Sequence, residues 1–105
     1  MGSEDAINAL GMALNDPKYI VRREAALSLG KLGSDSKKVI PVLIKTLEDR
    51  NPDVRWRASE ALGVIGINTE EIISGLNELV HDACDYVCES AINALDQISE
   101  QPVED

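Results

Sequence analysis

A chain of 105 residues with 10 Lys and Arg against 19 Asp and Glu, and a net charge of −9, has room for one small domain and carries the wrong overall charge for gripping a nucleic-acid backbone. No apolar run approaches the roughly 18 residues needed to cross a bilayer, and no basic start is followed by an apolar stretch and a small-residue cleavage site. The sequence therefore reads as soluble and cytoplasmic. Met1, Gly2 and Ser3 carry no argument, because a natural start and a cloning scar look alike there.

Taken in order, the apolar spacing predicts a helix near residues 4–15, a break at Asn15, Asp16 and Pro17, and a second helix near 19–32 that Gly33 ends. A third helix follows near 38–48, where Ile40, Leu43, Ile44 and Leu47 recur at helical spacing and Pro41 sits in the first turn, whose amides lack intrahelical partners anyway. Asp49, Arg50, Asn51 and Pro52 break the chain again. Pro52 is placed to open a helix near 52–65 carrying Val54, Ala58, Ala61, Leu62 and Ile65, with Gly66 at its end. The last two helices fall near 70–81 and 85–99, and residues 100–105 form an acidic tail. With Trp56, Tyr19 and Tyr86 as the only aromatics, the core must be aliphatic, and alanines such as Ala25, Ala58 and Ala91 let helices approach closely.

These elements repeat with a period of 33 residues: Ile7, Ile40 and Ile73 align, as do Asp16, Asp49 and Asp82, Val21, Val54 and Val87, and Leu29, Leu62 and Leu95. A fixed period of this length marks a repeat array, in which each unit buries its apolar face only against its neighbours. The repeats are 1–33, 34–66 and 67–99, each a helical hairpin, together one domain over 1–99. Ankyrin repeats share the period, but their Thr-Pro-Leu-His run is absent, as is the Trp, Gly and Tyr pattern of the tetratricopeptide repeat.

The second repeat reads Leu47-Glu48-Asp49, Val54-Arg55, Ala58, Ala61-Leu62-Gly63 and Ile65-Gly66, and the first echoes it with Asp16, Val21-Arg22, Ala25-Ala26, Leu29-Gly30 and Leu32-Gly33. This resembles the HEAT repeat in its short, phycobilisome-lyase HEAT-like form. The resemblance implies a right-handed α-α superhelix, an all-α solenoid of six helices. The third repeat departs from the pattern: Cys88 replaces the arginine, while Asp96 and Ser99 replace the glycines, as suits a C-terminal cap. The family's loop aspartate and following arginine form a ladder between stacked repeats. Carried over, that role falls to Asp16, Asp49 and Asp82 with Arg22 and Arg55, and Asp82 either lacks a partner or serves Arg55.

The resemblance also implies a concave side lined by the second helices. Helical geometry points positions 56, 59, 60 and 63 away from the apolar stripe, so Trp56 is predicted exposed, with Arg23 and Glu89 in the equivalent slots; the alternative is a ring folded over a neighbouring helix. Leu27 and Ile92 would extend an apolar strip beside it, with Ser59, Glu60 and Asn93 at matching positions. An exposed tryptophan suits a partner-binding anchor. Charge is zero over residues 1–33, plus one over 34–66 and minus ten over 67–105, which favours a protein partner with a basic surface near the third repeat. Head-to-tail docking of two arrays through the arginines and the acidic end is a further possibility, although a monomer is favoured.

Other chemistry finds little support. His81, Cys84 and Cys88 lie within eight residues, yet with Asp82 or Asp85 as the fourth ligand they still lack the paired Cys-x-x-Cys spacing of zinc sites, so no metal is expected. A disulfide within one helical turn is geometrically poor, and Cys88 reads as a small, partly buried hydrophobe. Some HEAT-like proteins bind iron through His-Glu pairs, and none occurs here. No nucleophile, phosphate loop or paired acid stands at a telling spacing. The resulting expectation is a non-enzymatic protein-interaction or scaffold module without cofactor; the alternatives are nucleic-acid binding through Arg22, Arg23, Arg55 and Arg57, or an accessory subunit of a bilin lyase-like enzyme.

Overall fold

The structure, a computed structural model, describes residues 3–104. Met1, Gly2 and Asp105, which the repeat scheme assigns to the first repeat and the tail, lie outside the described residues. Among the described residues six α-helices form: α1 (Ser3–Ala13), α2 (Tyr19–Leu32), α3 (Ile40–Thr46), α4 (Pro52–Ile65), α5 (Glu70–Leu79) and α6 (Asp85–Ser99). A 3-10 segment, Gly33–Val39, joins α2 to α3.

Local chemistry explains the boundaries. The Asn51 side chain accepts a hydrogen bond from the Asp53 amide at 2.8 Å, Pro52 follows it, and Gly66 turns left-handed at φ 71° to end α4. Thr69 caps α5 by accepting from the Ile72 amide at 3.3 Å. Only the third predicted helix changes character. Gly33, at φ 63°, stops α2, and the buried Ser36 hydroxyl donates to the Leu29 carbonyl at 2.8 Å. That bond ties the connection to the end of α2 as a tight 3-10 winding, so α3 proper is confined to Ile40–Thr46.

The second helices α2, α4 and α6 stack side by side in one layer, and α1, the 3-10 segment, α3 and α5 form the other. The molecule measures 36 × 31 × 18 Å, and the short axis is two helix layers deep. Between the layers runs an aliphatic spine in which Leu29, Leu43, Leu62, Ile72, Leu76 and Ile98 are fully buried. Each contributes roughly 1.5–3 kcal/mol of burial free energy. Small residues set the spacing within the second-helix layer: a Cβ on Gly63 would stand 2.9 Å from Ala94 Cα. Its third-repeat equivalent, Asp96, is exposed among the described residues and tolerates a side chain. After α6 the tail folds back, with Val103 bridging Asn68 and the Asn68 side-chain amide donating to the Gln101 carbonyl at 3.0 Å.

Candidate functional site along the second helices

Arginines on the second helices fasten each repeat to the next. Arg22 donates through Nε and Nη2 to both oxygens of Asp49, at 2.7 and 3.0 Å, and through Nη1 to the carbonyls of Asp16 and Pro17. Arg55 repeats the arrangement one unit on, holding Asp82 at 2.8 and 3.1 Å and the Asp49 carbonyl at 2.8 Å. Burial by itself would raise the Asp49 and Asp82 carboxyls, but the arginine bonds and the amides of Asn51 and Cys84 outweigh it and hold both below the ordinary aspartate value. Asp16 accepts from the Lys18 amide at 2.9 Å and, among the described residues, no arginine side chain donates to its carboxylate, though Arg22 is near enough to feel its charge. In the third repeat Cys88 occupies the arginine position, its thiol donating to the Val80 carbonyl at 2.6 Å.

This arrangement engages every arginine of the basic-face alternative. Arg22 and Arg55 are committed to the ladder, Arg57 lies 3.8 Å over the Trp56 ring and pairs with Glu60 at 2.7 Å, and Arg23 pairs with Glu24 at 3.2 Å.

Next to the ladder, α4 and α6 enclose a groove of about 450 Å³ that unites Trp56, Glu60, Glu89 and Asn93 with Val64, Tyr86, Ser90 and Gln97. Trp56 is half-buried rather than exposed: its ring meets Tyr86 edge-on at 5.6 Å and Arg57 covers it. Tyr86 donates to Asp53 at 2.6 Å, an interaction that pushes the phenol up to about 12. Glu60 is engaged by Arg57, whereas the exposed Glu89 makes no ion pair among the described residues. The groove thus offers one unneutralised carboxylate beside an aromatic wall.

Several sequence-predicted site residues fall elsewhere. Ser59 is completely buried and donates to the Arg55 carbonyl at 3.0 Å, and Gly63 is buried against α6. Both were expected to face solvent, but α4 is flanked by second helices on two sides. Leu27 is half-buried in a separate hollow of about 270 Å³ between α2 and α4, and Ile92, 52% exposed, stands at the register of buried Ala26 and Ser59. The apolar strip of Leu27, Trp56 and Ile92 therefore does not form. Arg23 lines neither hollow. Tyr86, Ser90, Val64 and Gln97 were missed; the 33-residue offset of Tyr86 from Asp53 is the signal that could have found the first of them.

Among the described residues, no three His, Cys, Asp or Glu side chains converge to hold a metal ion, and no helix is long and apolar enough to cross a membrane.

A family model described as HEAT repeats matches residues 1–47 and 40–104. Curated relatives include the deoxyhypusine hydroxylase of Schizosaccharomyces pombe, 38% identical over 93% of this chain and 30% of its own length. That of Rattus norvegicus is 32% identical over 99% of this chain and 35% of its own. A solved structure of human deoxyhypusine hydroxylase in complex with glycerol superposes with a TM-score of 0.80 at 30% identity, covering 95% of this chain and 34% of that one. The chain thus spans about a third of the length of the curated relatives it matches. Two expectations are corrected. The relatives are not of the phycobilisome-lyase class, and they are enzymes by name, which overturns the non-enzymatic scaffold. The all-helical architecture and the matched family model agree: the chain belongs to the HEAT-repeat family.

Proposed function

We propose that this chain serves a hydroxylase of the deoxyhypusine hydroxylase type, and that its contribution is to hold the cationic side chain of a polypeptide substrate in the groove between α4 and α6. The similarity to deoxyhypusine hydroxylases over more than nine-tenths of the chain carries the reading. Deoxyhypusine is an amino acid with a long aminoalkyl side chain, so its recognition calls for a carboxylate and an aromatic surface along an aliphatic stem. Glu89, the Trp56 and Tyr86 rings and the exposed Val64 supply that chemistry in one groove.

Hydroxylation at carbon also requires a redox-active metal or organic cofactor. The described residues do not fit such a centre. The single histidine, His81, is exposed, Cys88 is engaged with a backbone carbonyl, and no carboxylate cluster completes a ligand set. The chain is accordingly assigned substrate holding, with the redox chemistry supplied by groups outside the described residues.

The test is calorimetric titration with a peptide bearing deoxyhypusine and a control bearing acetyl-lysine, alongside mass spectrometry of the peptide after aerobic incubation. Binding of the first peptide alone, lost in Glu89→Gln and Trp56→Ala, supports the reading. Equal binding of both peptides, or indifference to the two substitutions, refutes the groove. A gain of one oxygen with this chain alone refutes the placement of the redox centre elsewhere.

A further inference from the structure

The 33-residue period places equivalent furrows between α2 and α4 and between α4 and α6, and the two carry different chemistry. The hollow between α2 and α4, of about 270 Å³, is lined by Leu27, Lys31, Arg57, Glu60, Ala61 and Val64. One repeat on, the positions of Leu27, Lys31, Arg57 and Val64 are held by Glu60, Val64, Ser90 and Gln97, all of which line the α4–α6 groove. That exchange leaves the second furrow without a cation and gives the first two of them over a largely aliphatic wall. Close helix approach backs the wall: a Cβ on Gly30, which also lines the hollow, would stand 3.0 Å from Ala61 Cα.

Charge at this hollow is inverted relative to the molecule. Glu60 is neutralised by Arg57 at 2.7 Å, and the exposed Lys31 makes no ion pair among the described residues. One net positive charge therefore borders the hollow on a chain that carries −9. Arg57 is held in place but not satisfied. Its guanidinium lies 3.8 Å over the Trp56 ring and Nη1 donates to Glu60, yet Nε is cut off from water and finds no acceptor among the described residues. A buried donor without an acceptor is costly, and an incoming oxyanion relieves it.

We propose that this hollow binds a free short-chain aliphatic monocarboxylate. The carboxylate is taken in bidentate form by Nε and Nη2 of Arg57 within the field of Lys31, and the tail lies on Leu27, Ala61 and Val64. Glu60 stays on Nη1 while the Nε edge turns outward, a movement open to a side chain that is 24% exposed. A glutamate side chain of a polypeptide offers the same charge but only two methylenes, too few to cover the aliphatic wall. A dicarboxylate would set its second charge against that wall.

The test is a proton–nitrogen NMR titration of the native chain with sodium pentanoate at constant ionic strength. Pentanamide serves as the uncharged tail and acetylglutamate amide as the side-chain mimic. Saturable shifts of the Leu27, Lys31 and Ala61 amides are expected at millimolar pentanoate, with the Arg57 Nε–H resonance moving to the position of a hydrogen-bonded guanidinium. Pentanamide should leave these resonances in place. Lys31→Gln should weaken binding about three- to tenfold, and Arg57→Gln at least about tenfold. Lys31 is exposed near the end of α2, so Lys31→Gln keeps the fold and decides the matter should Arg57→Gln not fold. Absence of saturation, an equal response to pentanamide, or indifference to Lys31→Gln overturns the proposal. Acetylglutamate amide binding as tightly as pentanoate does so too, by showing that the hollow takes a polypeptide side chain. The α4–α6 groove is assigned a cationic ligand, so failure of that reading leaves the pentanoate titration unchanged.

Discussion

Replacing Arg55 by Met keeps the apolar stem in place and removes the guanidinium, leaving Asp82, among the described residues, with the Cys84 amide as its one hydrogen-bond donor and taking from the Asp49 carbonyl the arginine bond it accepts. Side-chain exposure is 18% for Arg55 and 8% for Asp82, so the orphaned carboxylate is largely cut off from water. Breaking a buried pair from one side costs about 3–5 kcal/mol, and the partial exposure of Arg55 moves the expectation to about 2–3 kcal/mol. For a domain of this size that corresponds to a fall in Tm of roughly 10–20 °C. The assay is urea unfolding followed by far-UV circular dichroism, with Asp16→Asn as the internal control. Asn still accepts from the Lys18 amide and no arginine is lost, so the control should change stability by less than about 0.5 kcal/mol. A cost below about 1 kcal/mol for Arg55→Met, or one equal to the control's, would show that the ladder does not bind the repeats together.

Because the Asp49 and Asp82 carboxyls lie below their unfolded values, the folded chain holds fewer protons than the unfolded one as acid is added. Their contribution to stability is therefore complete above about pH 4–5 and is lost as the pH falls through the lowered folded values; Tm measured from pH 6 down to pH 3 should decline less steeply in Arg55→Met than in the native chain. Gly63→Ala drives a methyl group to within 2.9 Å of Ala94 Cα and should cost about 1–3 kcal/mol by forcing α4 and α6 apart, read as a lower urea midpoint at unchanged m-value. Leu62→Ala empties a fully buried site between the layers and should cost about 2–5 kcal/mol in the same assay. Tyr86→Phe removes only a surface hydrogen bond to Asp53 and should change stability by under about 1 kcal/mol while leaving tryptophan fluorescence close to native.

Much of the architecture is written in the order of residues, for a local reason. Helical periodicity, the Asn51-Pro52 cap and the left-handed Gly33 and Gly66 act over a few residues, so all six helices stand within about two residues of the expected spans. The 33-residue recurrence of Asp16, Asp49 and Asp82 likewise marks the loops between paired helices, and the Asp-to-Arg spacing marks which side chains can meet. What local pattern could not supply is which neighbour each face meets. A helical wheel separates one buried stripe from one wet one, whereas α4 is pressed between α2 and α6 as well as against the other layer. Ser59 and Gly63 therefore disappear into the stack, Trp56 turns its ring onto Tyr86 under Arg57, and Ile92 stands apart at the open end. The direction of the ladder, each arginine reaching forward to the next aspartate while Cys88, at the third-repeat arginine position, turns to the Val80 carbonyl, also exists only once the repeats are stacked.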